Sequence, residues 1–165
     1  MIFVLVLALL ACKRTKWTEF TSKEGGFAVL LPGTPKVERK TQQSAIGPLT
    51  FTTHTVELGL GTIVYIASYN DYPPSLITDS DPNTLLDGVV EGALGSKENI
   101  KHSQAITLDG HPGREFTGTV KDGYEYTSRC YLVKQRLYQV NVVSTPGKVS
   151  AEDKLKYFGS FKLLK

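Results

Sequence analysis

"IKHSQAITL" at residues 100–108, "REFTGTV" at 114–120, "YEYTSRCYLV" at 124–133 and "LYQVNVVS" at 137–144 follow one another with only short interruptions. Each run is rich in Val, Ile, Thr, Tyr or Phe, the residues that suit a pleated, half-buried surface. The breaks fall at Asp109-Gly110, Asp122-Gly123 and Lys134-Gln135-Arg136. Breaks this short leave no room for a crossover helix, so each strand must turn back beside its predecessor. The stretch therefore predicts a meander of antiparallel strands, which rules out a parallel α/β sheet for this half of the chain.

Working outward, more strands precede the meander. "WTEFTS" at 17–22 turns at Glu24-Gly25-Gly26 into "FAVLLP", and Pro32-Gly33-Thr34-Pro35 is a hard stop. "KVERKTQQS" at 36–44 is charged, as an edge strand should be. Gly47-Pro48 leads into "LTFTTHTVEL", and Gly59 and Gly61 turn the chain into "TIVYIASY". That last run is apolar on both faces, which places it centrally.

The period then changes. Asp81 suits an N-cap, with Pro82 at the first helical position. Leu85, Leu86, Val89, Val90, Ala93 and Leu94 recur at helical spacing, and Gly95 supplies a stop. Gly88 and Gly92 cost helix propensity, which implies a close approach to the sheet. A last helix starts at Ser150, where Ser150 to Asp153 resembles a capping box. It is expected to bury Ala151, Leu155 and Phe158 and to end at Gly159. Strands, helix, strands, helix give an α+β fold: an antiparallel sheet flanked by two or more helices.

With 165 residues and 41% apolar composition, the chain fits one domain with a real core. The net charge of +3 is mild and one short basic run is present, so nucleic acid is not an expected partner. Two cysteines, Cys12 and Cys130, are too few for a disulfide framework or a zinc site.

Residues 2–11 form an unbroken apolar run, about half of the ~20 residues that span a bilayer as a helix. The length suits the core of a secretory signal. Leu9-Leu10-Ala11-Cys12 resembles the bacterial lipobox, although no Lys or Arg precedes the run and Leu10 is large for its place. The resemblance implies cleavage before Cys12 and lipidation of its sulfur. The expected organisation is a signal at 1–11, a lipidated basic tether at 12–16 and one domain at 17–165. Lys13, Arg14 and Lys16 would each add about 1 kcal/mol against anionic headgroups. With Cys12 lipidated, Cys130 has no partner and is expected to be a buried thiol.

Candidate chemistry is sparse. Gly59-Leu60-Gly61 lacks the third glycine of a dinucleotide loop and precedes a strand. No Walker loop and no Gly-x-Ser-x-Gly elbow occurs in the sequence. "DSDPN" at 79–83 opens like a calcium loop, but Thr84 and Val90 stand where Gly and Glu are required. His54, His102 and His111 lack the i, i+4 spacing of a zinc protease and are expected on exposed strand positions. "LDGHPGREF" at 108–116 crowds Asp109, His111, Arg114 and Glu115 together like an active site. Its turn chemistry instead predicts a hairpin at Asp109-Gly110, with Pro112 interrupting pairing and Arg114 and Glu115 on opposite faces. No catalytic residue, metal ligand or cofactor is assigned. "YNDYPPSL" at 69–76 is the best binding candidate: Tyr69, Asp71 and Tyr72 on a stiff loop offer broad contact area at low entropy cost.

"WTEFTSKEGGFAVLLPGTP", "LLDGVVEGAL", "LDGHPGREF", "YLVKQRLYQV" and "YFGSFKLL" resemble a family of small bacterial envelope proteins, over nearly all of 17–164. That family is similar in architecture to the PsbP-like fold, an α/β/α sandwich. The resemblance implies a membrane-associated accessory or assembly role without a shared catalytic motif. The expected function is thus a lipid-anchored, non-enzymatic envelope domain, facing the periplasm or extracytoplasmic space, that binds or helps assemble a membrane-associated protein. A small-ligand or lipid-binding module, or a hydrolase whose site is assembled from distant residues, are the alternatives.

Overall fold

The computed structural model describes residues 15–44 and 46–165. The expected signal segment at 1–11, Cys12, Lys13 and Arg14 lie outside the described residues. The meander forms as expected from β6 (Ile100–Leu108), β7 (His111–Thr119), β8 (Glu125–Val133) and β9 (Arg136–Ser144), each antiparallel to the next. Asp109 and Gly110 both take positive φ, 51° and 81°, as the tight mirror-image hairpin turn requires. Pro112 does not interrupt pairing: it lies inside β7 opposite Thr107. In a two-residue hairpin the flanking pair, here Leu108 and His111, exchanges both hydrogen bonds and the next pair exchanges none. The missing N–H of Pro112 therefore points away from β6, toward a side where pairing with β8 begins only at Gly113.

Upstream lie β1 (Thr18–Ser22), β2 (Phe27–Leu31), β3 (Lys36–Ser44), β4 (Gly47–Leu58) and β5 (Ile63–Asp71). Two helices follow, α1 (Pro74–Asp79) and α2 (Pro82–Leu94), and the chain closes with α3 (Ala151–Ser160) and β10 (Lys162–Leu163). The large sheet has the order β3-β4-β5-β9-β8-β7-β6, and a small sheet has the order β1-β2-β10. From β5 the chain crosses the back of the large sheet through α1 and α2 to the far edge. The meander then fills the gap until β9 pairs with β5.

Three layers result. Phe27, Val29 and Leu31 of β2 and Tyr157, Phe158 and Phe161 around α3 pack on the front of the large sheet, against Tyr65, Ala67, Tyr131, Tyr138, Val140 and Val142. On the back, Leu86, Val90 and Leu94 of α2 pack against Phe116, Cys130, Leu132 and Leu137. Each such buried aliphatic contributes about 1.5–3 kcal/mol relative to exposure. The α+β class holds, with the difference that the front layer is a small sheet plus a helix. β5 is third of seven and β9 is the central strand. The back of β5 is covered only in part: Ser68 and Asn70 are buried, but Val64 and Ile66 are half-buried because α2 sits over the other half of the sheet.

The caps of α2 form as read. Asp81 accepts from the Thr84 N–H at 3.0 Å, and Gly95 takes a left-handed φ of 76°. Gly88 and Gly92 differ from expectation: both face solvent, and a Cβ on either would meet nothing within 4 Å. The close approach is made by glycines of the sheet instead. A Cβ on Gly118 would stand 2.4 Å from the Asn99 carbonyl oxygen and 2.7 Å from Leu94. α3 also turns a different face inward. Ser150 caps it through the Asp153 N–H at 3.0 Å, but Tyr157 and Phe158 are its buried residues and Leu155 is 71% exposed. Gly159 lies within the helix, which runs on to Ser160.

Gly88→Ala and Gly92→Ala should each raise stability by about 0.8–1 kcal/mol, since helix propensity changes and no contact does. Gly118→Ala should lose about 1–3 kcal/mol, because its new methyl meets backbone. Thermal and denaturant melts of the three variants check both signs.

Candidate functional site

The residues of "LDGHPGREF" diverge. Arg114 points to the back, where its Nε donates to Asp87 Oδ1 at 2.8 Å and its Nη1 to Asn83 Oδ1 at 3.1 Å, both on α2. Glu115 points to the front and accepts from Arg129 Nε at 2.6 Å and Gln104 Nε2 at 2.8 Å. Burial pushes the Glu115 carboxyl up, but the hydrogen bonds from Arg129 and Gln104 outweigh it and leave it below the usual carboxylate range. His111 starts β7 at the hairpin. A single substrate cannot meet both sides of a sheet, so the active site suggested by the crowding of these residues is not assembled.

The three partner-binding candidates sit at the end of β5, and alternation separates them. Tyr69 is 6% exposed and belongs to the front core, edge-on to Phe27. Its ring is therefore not available as contact surface. Asp71, two residues on, keeps the same face but has passed beyond the core. Tyr72 is half-buried against the α2 cluster, and its N–H donates to the Gln135 carbonyl at 2.8 Å.

Sequence reasoning did not single out Arg136, the residue that organises this end. The turn is Lys134-Gln135, with Lys134 at a φ of 55°, so Arg136 is the first residue of β9 and stands directly opposite Asp71. Its Nε and Nη2 donate to the two Asp71 carboxylate oxygens at 2.6 and 2.7 Å, a bidentate pair. Its Nη1 reaches the carbonyls of Glu24 and Gly25 at 3.0 and 3.3 Å, and its guanidinium lies 4.6 Å over the Tyr69 ring. The Arg136 hydrogen bonds hold the Asp71 carboxyl below its ordinary range, and Asp71 in turn raises the guanidinium. Ending the turn one residue earlier would have placed Arg136 at the start of β9, but its position opposite Asp71 follows only from the pairing of β5 with β9.

Two other groups differ in placement. His54, expected at an exposed strand position, is 3% exposed among Phe20, Phe27 and Tyr69. Its Nδ1 lies 3.0 Å from the Ala67 carbonyl, and burial lowers its pKa. Cys130 is free and fully buried, its thiol pushed up to about 12 by burial, which suits an inert core residue. Among the described residues no group of three or more His, Cys, Asp or Glu is placed to hold a metal. A cleft of about 550 Å³ runs between the β2–β3 loop and β4, lined by Pro32, Gly33, Lys36, Glu57 and Leu58 among others. It lies at the outer margin of the sheets, not between a helix and the sheet.

The register gives the molecule two ends. Trp17, the Pro32–Pro35 loop, the β4–β5 turn and the Thr145–Lys148 loop share one. Trp17 meets Tyr65 edge-on at 5.4 Å, and the Thr145 N–H donates to the Thr62 carbonyl. Asp71, Tyr72, the Asp109-Gly110 turn and the Lys134-Gln135 turn share the other. The nine residues of β5 separate the ends by about 30 Å. Among the described residues no helix is long and apolar enough to cross a membrane.

No protein-family model matches the chain, and no curated protein matches it by sequence. Its fold is similar to the solution structure of cyanobacterial PsbP (CyanoP) from Synechocystis sp. PCC 6803, with a TM-score of 0.60 at 10% identity, covering 93% of this chain and 95% of that one. A crystal structure from Bacteroides thetaiotaomicron VPI-5482 aligns at a TM-score of 0.47 and 11% identity, over 89% of this chain and 48% of that one. The fold is thus PsbP-like.

Arg136→Lys should destabilise by about 1–3 kcal/mol, since an ammonium cannot reproduce the fork to Asp71 and the two carbonyls together. Asp71→Asn, whose side chain is more exposed, should cost about 1 kcal/mol or less. His54 sets a pH dependence. Its pKa is lower folded than unfolded, so its contribution is complete above the unfolded value of 6.5 and is lost as pH falls through the folded value. Chemical melts between pH 7.5 and 5 should show stability falling, and His54→Leu should flatten that slope.

Proposed function

We propose that this protein is a lipid-anchored, non-enzymatic domain of the bacterial envelope that displays one end of a PsbP-like sandwich to a membrane-associated protein partner. The observation that carries the reading is the closeness of the lipobox-like Leu9-Leu10-Ala11-Cys12 to the first strand, which begins at Thr18. A lipid on Cys12 would hold the domain against a membrane by a tether that includes the exposed Lys16, with Lys13 and Arg14 beside it.

In that arrangement the anchored end carries Trp17, and Asp71 and Tyr72 face away from the bilayer with the Asp109-Gly110 and Lys134-Gln135 turns. Tyr72 and the outer edge of Asp71 are the groups offered to a partner; Arg136 holds Asp71 and the Gln135 carbonyl holds the Tyr72 backbone. Tight turns on nine-residue strands make this a stiff surface, so binding orders little that is not already ordered. The likeness to a cyanobacterial PsbP supports the reading at the level of fold alone.

Mass spectrometry of the protein isolated from membranes should find residues 1–11 removed and acyl groups on Cys12, and Cys12→Ala should leave an uncleaved, unacylated chain. Finding native protein without acyl groups overturns the anchor. A photo-crosslinker at position 72 should trap a defined membrane-associated protein, and Asp71→Asn, which costs about 1 kcal/mol or less in stability, should weaken that adduct. An adduct indifferent to Asp71→Asn counts against the displayed end as the contact.

A further inference from the structure

The β4–β5 turn presents a leucine that nothing in the domain requires. Leu58 ends β4, Ile63 begins β5, and the Thr62 N–H closes the turn on the Gly59 carbonyl at 3.3 Å. Leu60 and Gly61 occupy its two central positions with φ of 55° and 83°. That backbone favours Asn, Asp or Gly, and Leu is a poor occupant. The side chain is also fully exposed, with a relative exposure of 107%. Leu60 therefore gains nothing from burial and sits in a conformation that disfavours it. A single exposed apolar residue is ordinary in itself. One held at the apex of a left-handed turn, on the end of the molecule where the chain enters, is a narrower case.

We infer that Leu60 is a membrane-inserting tip, and that the anchored end of the domain rests on the lipid bilayer itself. This rests on the lipid-anchor reading of Cys12. The chain outside the described residues and the point where it enters fix the geometry. From Cys12 to Trp17 a fully extended chain covers at most about 17 Å. Trp17 is tied to Tyr65 at 5.4 Å, four residues inside Gly61 along β5. The apex of the turn therefore projects about 13 Å beyond Tyr65 toward the same end. With Cys12 in the bilayer surface, even a fully extended tether lifts Trp17 only about 4 Å beyond that projection, and any slack in it brings the apex to the surface when this end faces the bilayer. Leu60 is the apolar group that arrives first. Lys16 and Lys148, both exposed at this end, can meet anionic headgroups, but Glu57, Asp122, Glu125, Glu152 and Asp153 make the end mixed in charge, so the apolar tip and the tether carry the contact.

The test uses the full chain reconstituted in vesicles of phosphatidylcholine and phosphatidylglycerol at a ratio of about 3:1, a composition that supplies the anionic surface. Trp17 is the only tryptophan, so Leu60→Trp in a Trp17→Phe background places one reporter in the turn. Its emission should shift to the blue on reconstitution and be quenched by brominated acyl chains. Leu60→Asn suits the turn and should keep or raise the melting temperature. In a chain of residues 13–165, which has neither the apolar run nor an acyl group, it should lower vesicle partitioning about tenfold, the effect of withdrawing one leucine from lipid. Acylated protein that floats with vesicles while the reporter at position 60 stays water-exposed and unquenched overturns the tip and leaves the anchor standing. A chain that carries no acyl group and fails to float overturns both. Unchanged partitioning for Leu60→Asn at an unchanged melting temperature also overturns the tip.

Discussion

Arg136 fastens the three-stranded sheet to the seven-stranded one. The two sheets share no strand pairing, so their relative position depends on side chains between them. Most of that contact is apolar and therefore non-directional. Arg136 supplies direction: one guanidinium grips the Asp71 carboxylate, the Glu24 and Gly25 carbonyls and the Tyr69 ring face at once. Tyr138, two residues along the same strand, donates its hydroxyl to Gly25 at 2.7 Å. The closing segment joins at the same place, where the Leu164 N–H donates to the Gly26 carbonyl at 2.8 Å. The β1–β2 turn is thus held from three directions. Gly25 must be glycine there, since a Cβ would stand 2.7 Å from both Phe27 and Ser22 Oγ.

That clamp also explains why the front core is aromatic. Phe27 meets His54, Tyr138 and Phe161 within 6.0 Å, and Tyr65 meets Trp17 and Tyr157. Edge-on rings tolerate a layer built from two unlike elements, a short sheet and a helix, better than an interdigitated aliphatic lattice would. The back layer has one element and one register, and it is mostly aliphatic: Leu86, Val90 and Leu94 on α2 against Leu132 and Leu137, with Phe116 stacked on Tyr126 beside them. The two cores divide the chemistry of packing between them along the alternation of the strands.

Features set by local chemistry were legible in the sequence. The Asp109-Gly110 turn, the Asp81 and Ser150 caps, the charged edge strand β3 and the opposed faces of Arg114 and Glu115 all follow from rules acting within a few residues. Features set by what lies across the core were not. The α3 stripe runs through Tyr157, Phe158 and Phe161 because the helix faces β2, and no periodicity in so short a segment separates that face from one through Leu155. His54 is buried by Phe20 and Phe27, neither of which is near it in sequence. Gly88 and Gly92 read as contact residues because a helix glycine suggests close packing, whereas the close contact is made by Gly118 on the strand beneath. At the candidate surface, period-two alternation already separates Tyr69 from Tyr72. What it could not supply was Arg136 opposite Asp71, since pairing β5 with β9 depends on the crossover through α1 and α2.

That crossover bears on the proposed function. Because α2 carries the chain to the far edge, β5 and β9 become neighbours in the interior of the sheet, and each strand spans its whole length. The β4–β5 turn and the Asp71–Arg136 pair are then opposite ends of one rigid ladder, about 30 Å apart. Strands this well paired do not bend independently, so an orientation imposed at one end fixes the other. A tether attached at Trp17 constrains only distance. Adding a second contact at the apex of the β4–β5 turn would constrain tilt as well, and a fixed tilt aims Asp71 and Tyr72 at a set height above the surface. The same two residues on a freely swivelling domain would sample a hemisphere, and a partner embedded in the membrane would meet them in few of those orientations. On the proposed reading, the stiffness of the β5–β9 ladder would let a single exposed leucine at one end bear on recognition at the other.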